Sequence, residues 1–343
     1  MNHQRIRRLC LKEIEEISLN LDGAVILTEA ACGAYVVTPV LAALAGASKV
    51  YAVAVDSVYA SADEVCHLTN DLADLCGVRE KIEFVVGAKE KVVGQADIVT
   101  NLGFVRPIDK KIVALMKCGA VLPYMCEAWE FRPGDVDLAM CRERNIPVMG
   151  TDEVRCGVFA YVGLLAAKML FALDCEILGQ KVAVVSNDSF GLQVESSLAK
   201  MGAVVKSFGS VVGEGFWNFV KEADVLIIAD YRRDSLLFAE SGYFTAAQLA
   251  EIAPDLRIVQ LTGGGDFASL KSCGFKVYPD KPVPFYRMGS TLAGLGVAPV
   301  VKLHAAGLKV GQAMWEASCK GLNGKSFVKY VLRHAPAQEL ANV

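Results

Sequence analysis

The sequence predicts an α/β fold with two Rossmann-like domains, each built on a doubly wound parallel sheet. Short apolar segments of strand length alternate with helical segments along both halves of the chain, which is the pattern of β–α–β units. The length of 343 residues suits two domains of about 150 residues each. A hydrophobic content of 53% is enough to fill two cores.

The first half opens with a strand, a loop, a helix and a second strand in residues 23–56, GAVILTEAACGAYVVTPVLAALAGASKVYAVAVD. The loop has a single glycine, Gly33, and so offers little of a phosphate-binding glycine loop. Asp56 follows the second strand, where a carboxylate either holds ribose hydroxyls or caps the next helix. The sequence leaves both roles open. Further strands are predicted in the segments KIEFVVG, ADIVTNLG, AVLPYM and IPVMG.

A long apolar helix near residues 157–173 is predicted to link the two halves. Its stretch VFAYVGLLAAKMLFAL carries Lys168 and is shorter than the ~20 apolar residues that a membrane span needs. No membrane association is expected from it. The helix is apolar on too many faces for full exposure to solvent, which favours a homodimer.

The second half begins at Lys181 with KVAVVSNDSFGLQVESSLAKMGAVV, an apolar strand followed by a polar loop, a helix and another strand. Units of this kind bind dinucleotides through a G-x-G-x-x-G loop. Here Ser186, Asp188 and Gly191 occupy the three glycine positions. We expect one domain at residues 1–152, to which residues 308–343 return, and a dinucleotide-binding-like domain at residues 153–307.

The order of these segments resembles the D-isomer-specific 2-hydroxyacid dehydrogenases, within the formate/glycerate dehydrogenase-like superfamily. The likeness lies in ADIVTNLGFVRPIDKKIVALMKCGAVLPYM, DVDLAMCRERNIPVMGTDE, LGQKVAVVSNDSFG, ADVLIIA and MGSTLAGLG. The resemblance implies a substrate domain, a nicotinamide-binding domain, a dimer of identical chains, and NADP or NAD as the cofactor.

The residues at the family's catalytic positions differ from the family pattern. Where the resemblance implies a catalytic arginine, the chain has Thr262 and Gly263; where it implies a histidine, the chain has Tyr286 or Arg287. Hydride transfer from a hydroxy acid needs a base for the hydroxyl proton and a cation for the carboxylate. We therefore expect a rebuilt catalytic set, whose candidates are Glu127, Glu130, Arg132 and Tyr286.

The predicted cofactor site surrounds the loop after the strand that starts at Lys181. Its candidate residues are Ser186, Asn187, Ser189, Phe190, Gly191, Lys206, Ser207, Thr262 and Gly263. No acid follows the second strand, and Lys206 suits a 2′-phosphate, so NADP is expected at least as much as NAD. Asp188 places a carboxylate beside the phosphates, which predicts weak binding. The alternative is a pocket that is empty or takes another ligand.

Loops that follow predicted strands supply the candidates for substrate binding. In NLGFVRP, backbone N–H groups and a guanidinium are suited to a carboxylate. The predicted substrate residues are Leu102, Gly103, Arg106 and Arg287. Alternatively, Arg106 is simply an exposed surface residue.

Three more loops are unusual in composition. The segment CEAWEFRPGD at 126–135 either binds a polar group through its carboxylates and Arg132, or is a packed loop whose Arg132 pairs with a neighbouring acid. The three glycines of LTGGGD either let a ligand approach the backbone or only permit a turn. Arg232 and Arg233 follow another strand and are candidates to meet phosphates or an acid.

Composition excludes several classes of function. A net charge of −3 without a basic stripe excludes a nucleic-acid partner. The charged start of the chain is not that of a signal peptide. Eleven cysteines without a C-x-x-C pair fit a reducing, cytoplasmic location, and four histidines far apart give no support to a metal site.

Together these features lead us to expect an NAD(P)-linked oxidoreductase for a small polar acid or an amino-acid-like substrate, acting in a cleft between the domains. The other possibility is a non-redox biosynthetic enzyme or a ligand-binding protein that has lost the residues for hydride transfer.

Overall fold

The computed structural model describes residues 2–231, 235–241 and 244–340. The chain divides into two compact units, one formed by Met1–Val158 with Gly296–Val343, the other by Phe159–Leu295. The first boundary therefore follows Val158 rather than residue 152. The returning segment starts at Gly296 rather than at residue 308, because the last long helix packs as a whole within the first unit.

The strands are short and most of their residues are buried. They are β1 Val25–Glu29, β2 Lys49–Ala54, β3 Ile82–Val86, β4 Ile98–Val99, β5 Leu122–Tyr124, β6 Val148–Thr151, β7 Lys181–Val185, β8 Val204–Phe208, β9 Val225–Ile228, β10 Arg257–Gln260, β11 Lys276–Tyr278 and β12 Ala337–Gln338.

The helices connect these strands and cover the sheets. They are α1 His3–Glu16, α2 Val37–Leu44, α3 Ala62–Cys76, α4 Lys110–Leu115, α5 Leu138–Glu143, α6 Tyr161–Phe171, α7 Ser189–Lys200, α8 Glu214–Val220, α9 Ala246–Ile252, α10 Phe267–Ser272, α11 Val297–Cys319 and α12 Gly324–His334.

The first unit contains a parallel sheet in the order β3-β2-β1-β4. A single parallel bridge between Ile98 and Val121 continues it towards β5 and β6, and β12 pairs antiparallel with β6. From β1 the chain builds the sheet outwards in one direction through β2 and β3, and later in the other direction through β4. The strand order thus reverses between β1 and β4, which is the switch point where open α/β sheets bind ligands.

The second unit contains five parallel strands in the order β11-β10-β9-β7-β8. Its switch point lies between β7 and β9, which pair in parallel from Val182 and Val225 onwards. The inner strands carry continuous apolar runs because helices cover both faces of a parallel sheet. The predicted α/β class with two Rossmann-like parallel sheets is confirmed.

Helix α11 carries the C-terminal segment into the first unit, where it packs against α1, α2 and β5. His304 on α11 is buried, and its Nδ1 lies 2.6 Å from the Thr38 hydroxyl on α2. Burial lowers the pKa of His304 to about 4. This histidine is therefore a neutral packing residue of the first unit.

The segment predicted as one long linker helix is a 3₁₀ turn at Val158–Ala160 followed by α6. Leu164 and Phe171 on α6 are exposed, as is Leu178 on the segment that follows it. These side chains border an apolar groove of about 960 Å³ on the second unit. No helix in the described part of the chain is long and apolar enough to cross a membrane.

Candidate functional site

The carboxyl end of β1 presents Glu29 at the switch point of the first unit. The strand is hydrogen-bonded on both sides, so Glu29 is only 6% exposed although it is the last residue of the strand. Burial raises the pKa of Glu29 to about 7, while the positive charge of Arg106 and a hydrogen bond from the Phe104 N–H oppose the rise. A carboxyl that exchanges its proton near neutral pH is suited to acid–base chemistry.

The loop after β4 holds the Glu29 carboxyl by close contact. A Cβ on Gly103 would lie 1.5 Å from Glu29 Oε2, so only glycine permits this approach. Thr100 donates a 3.0 Å hydrogen bond to Thr28 and joins β1 to β4 just beneath the site. Asn101 Oδ1 accepts from the Met125 N–H at 2.7 Å, whereas its buried Nδ2 has no partner among the described residues.

The predicted substrate loop Leu102–Arg106 therefore faces Glu29. Leu102 is buried at its start, and Arg106 Nη1 donates to Asp135 Oδ2 at 3.1 Å. The Tyr124 hydroxyl lies 3.3 Å from the same Asp135 oxygen. Arg106 is thus fixed in a network inside the first unit rather than extended on the surface.

In the segment CEAWEFRPGD, Glu127 joins distant parts of the first unit. Its Oε1 accepts from the Glu153 N–H and its Oε2 from Gln338 Nε2, both at 2.7 Å. Burial raises the pKa of Glu127, and the hydrogen bond from Gln338 opposes the rise. Both oxygens are engaged in stabilising the end of β6, so a catalytic role for Glu127 stays a prediction.

Glu130 and Arg132 lie in the same loop as Glu127. The Glu130 carbonyl accepts from the Tyr124 hydroxyl at 3.0 Å. Arg132 Nε is buried without a hydrogen-bond partner in the described part of the chain. The loop thus brings three of the four predicted catalytic residues close together in sequence and space, while Tyr286 belongs to the second unit.

In the second unit, Asp188 is the N-cap of α7 and its carboxylate fills the β7–α7 turn. Its Oδ1 accepts from the Phe190 N–H at 2.8 Å and from the Ser186 hydroxyl at 2.9 Å. Its Oδ2 accepts from the Tyr231 N–H at 3.1 Å. Burial raises the pKa of Asp188, which these three hydrogen bonds oppose. The turn therefore gathers donors around one anionic group.

The rest of this turn is also held by its own side chains. Ser186 Oγ accepts from the Gly191 N–H at 3.0 Å, and a Cβ on Gly191 would lie 2.6 Å from Ser186 Cβ. Asn187 Nδ2 donates to Asp230 Oδ2 at 3.3 Å across the switch point. Ser189 and Phe190 form the first turn of α7.

The strand that follows α7 carries the residues predicted to select NADP. Lys206 is exposed with its Nζ 5.3 Å from the centre of the Phe208 ring. The Ser207 N–H donates to Glu195 Oε2 at 3.1 Å, so α7 brings a carboxylate to β8 that the sequence pattern did not reveal. The NADP preference stays a prediction.

One of the three glycines after β10, Gly263, is required by a backbone crossing. A Cβ on Gly263 would lie 2.0 Å from the Pro284 carbonyl oxygen, and the Gly263 N–H donates to the Arg287 carbonyl at 3.0 Å. Thr262 is buried, and its hydroxyl has no partner among the described residues. Tyr286 is 44% exposed with a positive φ of 58°. Arg232 and Arg233 lie outside the described residues.

Asp56 assists in capping α3, one of the two roles that the sequence left open, while Ser61 is the N-cap residue and accepts from the Glu64 N–H at 3.2 Å. Asp56 Oδ1 accepts from the Ala62 N–H at 2.8 Å at the start of α3. Within the described residues, no group of three or more His, Cys, Asp or Glu side chains is arranged to hold a metal ion.

Both units are built on Rossmann-like parallel sheets, and solved structures share this fold. A dipicolinate synthase chain from Bacillus halodurans superposes with a TM-score of 0.55 at 14% identity, covering 84% of this chain and 96% of that one. A dipicolinate synthase chain from Bacillus subtilis gives 0.54 at 14% identity over 88% and 99%. The pyruvate reductase of Chlamydomonas reinhardtii gives 0.51 at 13% identity over 94% and 99%.

This chain therefore shares the fold of these structures, as the sequence resemblance implied. No protein-family model matches the chain, and a search of curated proteins finds no match.

Sequence reasoning missed Glu29. The available signal was a carboxylate at the end of the first apolar strand, VILTE, directly before the β1–α2 loop. Its burial depends on the loop at residues 101–104, more than 70 positions away, which no local pattern reveals.

Proposed function

We propose that this chain is an NAD(P)-linked oxidoreductase that acts on a small polar acid or an amino-acid-like substrate. The observation that carries the proposal is the β7–α7 turn, where three donors converge on one carboxylate at the start of a 12-residue helix. Turns of this kind, at a switch point, are where Rossmann units hold the phosphates of a dinucleotide.

The start of α7 suits the phosphates of a dinucleotide, but the side chain of Asp188 does not. Ser186, Phe190 and Gly191 supply the helix-start geometry, and the carboxylate of Asp188 stands where a phosphate oxygen would accept the same hydrogen bonds. When bound, the nicotinamide would supply hydride chemistry. Ser186, Phe190 and Gly191 would hold the phosphates, and Asp188 would have to move aside.

Glu29 supports acid–base chemistry in the first unit. Oxidation of a hydroxyl or an amine requires removal of a proton, and a carboxyl with a pKa of about 7 accepts and returns one near neutral pH. A substrate carboxylate bound at this loop would take the place of the Asp135 carboxylate, to which Arg106 now donates at 3.1 Å. Glu29 is therefore the candidate for proton transfer in the first unit.

The names of the similar structures support a small acid as the substrate class, because pyruvate and dipicolinate are both small carboxylic acids. The identities of 13–14% transfer no substrate from those proteins to this one. A cytoplasmic location is part of the proposal, supported by the 11 free cysteines.

The first experiment is to denature the purified protein and measure the absorbance and mass spectrum of any released nucleotide. The second follows NADPH and NADH absorbance with pyruvate, other 2-oxo acids and their ammonia-supplemented mixtures. We expect turnover that falls at least tenfold in Glu29→Gln. Release of no nucleotide together with no turnover of either cofactor would reject the oxidoreductase.

A second candidate is a non-redox Rossmann-type enzyme or ligand-binding protein. It is favoured by the Asp188 carboxylate in the β7–α7 turn and by Thr262 and Gly263, which stand where the resembled family has its arginine. The same two measurements distinguish it, because such a protein would bind small acids without any change in nicotinamide absorbance.

We also propose a homodimer, with the apolar groove beside α6 covered by a second copy of the chain. Leu164, Phe171 and Leu178 are 46%, 61% and 77% exposed there, which is unusual for three neighbouring large apolar side chains. Sedimentation of the protein at micromolar concentration tests this proposal.

A further inference from the structure

We propose that Asp188 is a built-in competitor of the cofactor: its side chain caps α7 with the hydrogen bonds that a dinucleotide phosphate would receive, and so sets a low affinity for the dinucleotide. This inference rests on the proposed function, because it concerns the same turn. It assigns to one residue of this chain the control of affinity at that turn.

The hydrogen-bond donors of the β7–α7 turn are already in use. Phe190 N–H, Tyr231 N–H and the Ser186 hydroxyl all donate to Asp188, at 2.8, 3.1 and 2.9 Å. The Gly191 N–H is taken by Ser186 at 3.0 Å. An incoming phosphate can accept the hydrogen bonds of Phe190, Tyr231 and Ser186 only after the Asp188 carboxylate has left, because all three donors are already engaged with it.

The negative charge of Asp188 also opposes a phosphate in the turn. A carboxylate that stays in the turn would lie within a few ångströms of a phosphate, and two like charges at about 4 Å repel strongly in a partly buried site. Asp230 adds a second carboxylate at the end of β9, tied to the turn through Asn187. Binding of a phosphate therefore requires Asp188 to rotate out or to be replaced.

The Asn187 side chain also occupies space beside the turn. A Cβ on Gly209, just after β8, would lie 2.6 Å from Asn187 Oδ1, so the Asn187 side chain covers the strand end towards which a dinucleotide extends. Asn187 is exposed and its amide is the far end of a movable side chain. Asp188 is anchored by three hydrogen bonds and is the stronger obstacle.

The experiment is calorimetric titration of the full chain and its variants with two probes, NADP and inorganic pyrophosphate. Asp188→Gly removes both the charge and the acceptor, and glycine is tolerated as an N-cap. Asp188→Asn keeps an acceptor for the Phe190 N–H and removes only the charge. Asp137→Gly is the matched control, since Asp137 caps α5 in the first unit by accepting from the Met140 N–H at 2.8 Å.

We expect NADP to bind the parent protein only at millimolar concentration and Asp188→Gly to bind both probes at least about tenfold more tightly. Asp188→Asn should give a smaller gain in affinity for the two probes, and Asp137→Gly should give no gain. The melting temperature of Asp188→Gly should fall by no more than about 4 °C, and circular dichroism should show that it is folded.

The outcomes separate this inference from the proposed function. If NADP binds the parent protein and Asp188→Gly equally well, Asp188 does not compete with the cofactor and the inference is wrong, while the proposed oxidoreductase function is unaffected. If Asp188→Gly gains affinity for pyrophosphate but neither it nor the parent protein binds NADP, Asp188 does not set the affinity for the dinucleotide and the inference is overturned, whereas the proposed function is decided separately by the turnover of NADPH and NADH. If a folded Asp188→Gly gains neither probe, the inference is overturned.

Discussion

Replacing Glu29 by glutamine tests the central electrostatic feature of the first unit. The change keeps the shape of the protonated side chain and an oxygen that can accept from the Phe104 N–H. It removes the ability to ionise. We therefore expect the variant to be more stable than the parent protein at alkaline pH and nearly equal to it under mildly acidic conditions.

The magnitude follows from the pKa of Glu29, which is raised from 4.5 to about 7 by burial. The folded state binds this proton more tightly than the unfolded state, so the stabilisation is complete below pH 4.5 and is lost as pH rises through 7. A shift of this size corresponds to roughly 3 kcal/mol at full titration, of which about 2 to 3 kcal/mol falls between pH 5 and pH 8.

The assay is denaturant unfolding of the parent protein and Glu29→Gln at pH 5 and pH 8, comparing the difference in unfolding free energy at each pH. Glu83→Gln is the control, because Glu83 lies on the same sheet in an exposed pair with Lys49. A difference between parent and Glu29→Gln that does not change with pH would refute the reasoning. So would destabilisation by glutamine at pH 8.

Three further outcomes are expected. Gly103→Ala should lose at least about 1 kcal/mol more stability than Gly119→Ala, because both have positive φ but only the first would place a Cβ against Glu29; equal losses in denaturant unfolding would contradict the contact. The pKa of His304 is about 4 in the folded state and 6.5 in the unfolded state. Because the unfolded state binds this proton more tightly, the free energy of unfolding should decrease by about 3 kcal/mol as pH falls from 6.5 to 4. His304→Gln should flatten that part of the pH profile. Phe171→Asp should shift sedimentation from dimer to monomer while Val58→Asp, on an exposed site of the first unit, does not; a monomeric parent protein would reject the dimer.

The class of fold was predictable because its signals are local. Continuous apolar runs such as Val182–Val185 mark strands covered on both faces, and the helical segments between them imply parallel pairing. The departure from a glycine loop was also visible in the sequence at Asp188. The sequence therefore showed which turn had changed.

The arrangement of the candidate sites was less predictable, because it depends on contacts between distant positions. Glu127 meets Gln338, 211 residues away, only because the C-terminal segment returns to β6. The three glycines after β10 suggested a ligand, yet Gly263 is required where the backbone at Pro284 crosses it.

By itself the sequence determined the two α/β units, the strand ends where polar side chains gather, and the presence of a carboxylate in the β7–α7 turn. Only the tertiary structure decided what those carboxylates do. A side chain's ionisation and partners depend on burial and on groups brought close by folding, and these are long-range properties. For this reason Asp188 proved to cap its own helix, and Glu29 proved to be a buried carboxyl held against Gly103.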